Sequence, residues 1–90
     1  MNIVAVFRHW TQIRPFLDDF AVNKDVKIDL SNQRITHADG SVIFCKVVNN
    51  AQDCDRLRGL HIDMVHFSHD YWRNHPKAVE VESMLKAMVR

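Results

Sequence analysis

The unbroken apolar run Ile3-Val4-Ala5-Val6-Phe7 constrains this chain more than any other stretch. It is too short for a helix, and no polar residue interrupts it. A strand with no polar face belongs in the interior of a sheet, with side chains buried on both sides, as parallel strands are. Parallel neighbours need crossover connections, so the run already implies an α/β fold. A second apolar stretch, Leu60 to Phe67, follows the Arg58-Gly59 turn and reads as a central strand that ends at the polar cluster Ser68-His69-Asp70.

Between these two runs the pattern changes repeatedly. Thr11 is placed to cap a helix over 11–21, in which Ile13, Leu17 and Phe20 share a face with Trp10 just before them. Pro15 falls near its first turn, and Trp10, Phe16 and Phe20 read as core residues. Asn23-Lys24-Asp25 forms a polar connection. Short strand-like runs follow at Val26 to Leu30, Arg34 to His37 and Val42 to Val48. Asp39-Gly40 lies between the last two, and Gly supplies the positive φ that a tight hairpin needs. Asn49 to Arg58 is polar, with room for a short helical turn. Beyond the second apolar run, Asn74-His75-Pro76 reads as a helix start, and Val81, Met84, Leu85 and Met88 make one stripe of a helix over 75–89. The expectation is a single α/β domain over residues 1–90, a small mixed β-sheet of about four strands with helices packed on it.

The order of these elements resembles a known family. A short apolar strand, a helix, the hairpin Ile35-x3-Asp39-Gly40-Ser41-x-Ile43, a polar stretch, Arg58-Gly59 and an apolar strand look like the ATPase core of phage terminase large subunits. The similarity covers roughly residues 2–72. In that family the second apolar strand is the Walker B strand and ends in an acidic pair; here Ser68 and His69 stand at that place. The family's phosphate-binding loop is also missing, since the chain has two glycines and no Gly-Lys-Ser or Gly-Lys-Thr. Ser68 and His69 cannot supply the charged oxygens that hold Mg²⁺ and polarise water. The resemblance therefore implies a truncated, catalytically silent core, phage or prophage encoded, acting in the host cytoplasm. It would work by binding a protein partner, as an inhibitor or decoy, or as a homodimer through an exposed sheet edge. Arg56, Arg58, Tyr71 and Trp72 are its candidate partner or phosphate contacts. No cofactor is expected.

Two other readings compete. Six histidines in ninety residues are many, and within His61 to His75 the set His66, His69 and Asp70 offers metal donors close in sequence. On a regular strand, however, His61 and Asp63 would point away from His66. Weak nucleic-acid binding is the other, with Arg8, Arg14, Arg56, Arg58 and Arg73 against phosphates and Trp10, Tyr71 or Trp72 for stacking. Twelve basic and eleven acidic residues leave a net charge of +1, so no bulk attraction to nucleic acid or membrane follows. Cys45 and Cys54 lack a metal-binding spacing and read as free thiols. No Gly-x-Ser-x-Gly or recognisable cysteine nucleophile is present, and no run approaches the length of a membrane span.

Overall fold

The computed structural model describes residues 1–67 and 76–89. Strand β1 (Asn2–Phe7) is an interior strand of a mixed sheet that also contains β2 (Val26–Asp29), β3 (Arg34–His37), β4 (Val42–Val47) and β5 (Met64–Phe67). The strand order is β2-β3-β4-β1-β5. β1 runs parallel to both β4 and β5, whereas β3 is antiparallel to β2 and to β4. The sheet is thus α/β in class with five strands, one more than the approximate four expected. Val4, Ala5 and Val6 are wholly buried, as the absence of a polar face in this run requires.

Helices cover the sheet on both sides. α1 (Ile13–Ala21) packs Ile13 and Leu17 against Ala5, Phe7, Ile35, Ile43 and Cys45. On the opposite face, α2 (Ala51–Asp55) and α3 (Ala78–Met88) bring Cys54, Val81 and Leu85 onto Val4, Val6, Val48 and Ile62. The α3 stripe is as expected: Val81 and Leu85 are buried, while Met84 and Met88 pack at the margin of the same cluster. α2 starts where Asn50 accepts the Asp53 N–H in its side-chain oxygen at 2.9 Å, satisfying a donor that the first helical turn leaves open.

The Asp39-Gly40 turn joins β3 to β4 as expected. Gly40 has φ +90°, and the Asp39 carboxylate accepts the Ser41 N–H at 2.8 Å. A second turn joins β2 to β3, where Asp29 accepts from the Asn32 backbone and side chain and Gln33 takes a left-handed φ of 53°.

Several expectations need correction. The strand after Arg58-Gly59 begins at Met64 rather than Leu60, and it lies at the end of the sheet order rather than in its centre. Asn2 is the reason for the late start. Its N–H is donated to the Asp63 carboxylate at 2.7 Å and its side-chain amide to the His61 carbonyl at 2.9 Å, so side-chain bonds join the backbone bond from the Asp63 N–H to the Asn2 carbonyl (2.9 Å) before Met64. Ile62 consequently leaves the alternation and shares the α2/α3 side with Val65 and Phe67. Thr11 does not cap α1; it lies in a 3₁₀ turn, Trp10–Gln12, that precedes the helix. Trp10 is not a core residue, being 60% exposed.

Candidate functional site

β5 presents two different faces. Val65 and Phe67 pack onto the α2/α3 cluster, whereas Met64 and His66 point to the α1 side and are exposed. α1 covers them only at its margin, where the Phe16 ring meets His66. Its buried partners come from β1, β3 and β4, and no residue of β5 belongs to that cluster. The uncovered strip is a groove of about 240 Å³ between α1 and β5, lined mainly by Ile3, Phe16, Phe20, Ile43, Met64 and His66.

Aromatic contacts give the groove a firm wall. Phe16 meets Phe7 edge-on at 5.1 Å and Phe20 at 5.1 Å between ring centroids. The His66 imidazole stacks on Phe16, with centroids 6.4 Å apart and 27° between planes. Such contacts add specific geometry to apolar burial. Met64, 48% exposed, forms the opposite side with an unbranched chain that adapts to whatever meets it. His66 supplies the groove with a polar group. Sequence reasoning placed Phe16 and Phe20 in the core and passed over Met64. A signal existed in the alternation of Met64 and His66 with Val65 and Phe67, which gives β5 a second face that needs cover.

The residues singled out in sequence fall in different places. Ser68, His69, Asp70, Tyr71, Trp72 and His75 lie outside the described residues. Arg56 and Arg58 are both exposed beside α2, but Arg58 donates from Nε to Asp55 Oδ1 at 2.9 Å. His61 Nε2 stands 3.9 Å from Asp63 Oδ1, and His66 is in the groove, so these donors do not converge. Among the described residues no group of three or more His, Cys, Asp or Glu side chains is arranged to hold a metal ion.

Both thiols are free and buried, on opposite faces of the sheet. Burial pushes the Cys45 thiol up to about 11, and burial followed by the nearby Asp53, Asp55 and Glu80 carboxylates raises Cys54. A protonated, enclosed thiol is a packing group rather than a nucleophile. No described helix is long and apolar enough to cross a membrane.

No family model, curated protein or solved structure matches the chain.

Proposed function

We propose that this chain acts without catalysis, by binding a protein partner through the groove between α1 and β5, as a catalytically silent relative of the terminase ATPase core. The observation that supports this reading is the half-covered sheet face, where exposed Met64 lies beside the Phe16 and Phe20 rings. Apolar surface left in water at a concave site is stabilised by any partner that covers it, at roughly 25 cal/mol per Å². The partner presents a short apolar anchor, which the aromatic wall seats and Met64 folds over. An inhibitor or decoy of a host protein fits this mode of action, because it needs a surface and no chemistry. Two features of the sequence support the silent reading: it has no glycine-rich lysine loop to cradle phosphates, and Ser68-His69 stands where the resemblance would put an acidic pair.

Native mass spectrometry before and after incubation with host extract tests the reading. A stoichiometric complex that Met64→Glu dissolves, with the free protein still folded, is the expected result. A complex that survives Met64→Glu unchanged would remove the groove from the binding surface. Turnover of ATP by the purified protein, abolished by a substitution in this chain, would overturn the silent reading.

A further inference from the structure

β1 and β4 are parallel neighbours, yet the chain leaves them toward opposite faces of the sheet. From β1 it enters α1, which packs on Ala5 and Cys45; from β4 it enters α2, which packs on Val4 and Val6. In open α/β sheets such divergence opens a crevice at the carboxyl ends of the strands, and ligands bind there. Here its floor is closed by backbone and side-chain bonds. The Val48 N–H donates to the Phe7 carbonyl at 3.1 Å, and the Asn49 side-chain amide to the Arg8 carbonyl at 3.1 Å.

Trp10 stands in this crevice, 60% exposed. The turn beneath it is fixed, because Gln12 Oε1 accepts the N–H groups of both Arg8 (3.0 Å) and His9 (3.2 Å). The indole shares a pocket of about 180 Å³ with Lys46 and Arg56. Neither cation has an ion-pair partner within 4.0 Å among the described residues. Asp53 also lines the pocket, but Asp53 Oδ2 accepts the Asn49 N–H at 2.9 Å. Trp10 also borders a second space of about 180 Å³ with Leu30 and Gln33. An aromatic plate flanked by two cations is a combination suited to a planar group that carries negative charge.

We infer that this crevice binds a nucleobase bearing a phosphate, with the base stacked on Trp10 and the phosphate held by Lys46 and Arg56. Stacking tolerates any base, and the two cations answer the phosphate charge without a glycine-rich loop. Such a site is separate from the α1/β5 groove, with which its pocket shares no lining residue. One chemistry has two sources here, a free mononucleotide or one nucleotide of a single strand.

Equilibrium dialysis with AMP and with a short oligodeoxythymidylate at low salt distinguishes the sources: saturable binding of AMP assigns the site to mononucleotides, and binding of the oligonucleotide alone assigns it to strands. Trp10→Ala weakens binding about tenfold, the size expected for loss of one stacked base, while Trp10→Phe retains most of it. Replacing Lys46 and Arg56 together by Ala removes the salt dependence, whereas Lys86→Ala on α3 has no effect. Circular dichroism confirms that each variant is folded. Absence of saturable binding of either probe at millimolar concentration overturns the proposal, as does unchanged affinity in folded Trp10→Ala.

Discussion

The two faces of the sheet carry similar apolar residues, yet they are closed to different extents. On the α2/α3 side, Val4, Val6, Ile62, Val81 and Leu85 are all wholly buried, and β5 contributes Val65 and Phe67 to the same cluster. On the α1 side one helix covers β1, β4 and β3 but meets β5 only through the Phe16–His66 ring contact, so Met64 and His66 remain exposed beside a groove. Among the described residues, two helical segments close one face, and one nine-residue helix leaves the other partly open. Complete closure spends apolar surface on stability, while incomplete closure keeps some of it available for a partner. Stability and recognition are therefore separable in this molecule, and substitutions on the two faces differ in what they damage.

Leu85→Ala produces the largest expected loss. The side chain is fully buried in the closed face, and removing it costs about 2–5 kcal/mol through lost transfer energy and the cavity left behind. Urea denaturation followed by circular dichroism reads this as a lower midpoint at an unchanged slope. Phe16→Ala on the open face costs less, about 2 kcal/mol, because the ring is only half-buried, although it loses contacts to Phe7, Phe20 and His66. Equal losses from the two variants would break the comparison and show that the open face is as tightly built as the closed one.

Much of this arrangement was legible in the sequence, because the residues concerned answer to one dominant local force. Ile3 to Phe7 has no polar face, so it belongs between two layers; Asp39-Gly40 has a positive φ and an Asx-type bond, so it makes a hairpin. Val81, Met84, Leu85 and Met88 repeat at helical spacing and face the core. The misjudged positions are those at which a tertiary contact overrides the pattern. Asn2 captures Asp63 and the His61 carbonyl, which delays β5 and turns Ile62 to the other side. Gln12 bonds back to Arg8 and His9, forming a 3₁₀ turn that carries Trp10 out of the α1 stripe. The position of β5 at the end of the sheet order, which creates the groove, depends on pairing across the whole chain and has no local signal.

The β3–β4 hairpin sharpens the comparison from a third direction, since turn chemistry rather than helix cover holds it. Gly40→Ala costs about 1 kcal/mol, because φ +90° strains an L residue; a Cβ there meets nothing within 4 Å, so packing adds no cost. Asp39 adds a pH dependence. Its hydrogen bonds from Ser41 hold the carboxyl below its ordinary 3.8. A depressed folded-state pKa contributes stability that is fully present above the unfolded value and is lost as pH falls through the folded one. Acid titration of stability should therefore show a small loss beginning below about pH 4 that Asp39→Asn removes. A loss unchanged in that variant would assign the acid sensitivity elsewhere, with Asp29, lowered by its bonds from Asn32, the next carboxyl to replace.

Met64→Ser should have the smallest effect on stability and the most selective effect on function. Met64 is 48% exposed and absent from both buried clusters, so its replacement changes folding stability by no more than about 0.5 kcal/mol. The same change removes the adaptable apolar side of the groove and adds a hydroxyl that an apolar anchor must desolvate. Partner binding should fall by an order of magnitude or more, since desolvating one unpaired hydroxyl costs about 1–3 kcal/mol. Measuring urea midpoint and complex stability on one preparation tests both halves at once. A midpoint shift as large as that of Phe16→Ala would mean that Met64 supports the fold, and the open face would then be a thin part of the core. An unchanged midpoint with a weakened complex would identify the uncovered edge of α1 as the place where this sheet trades closure for recognition.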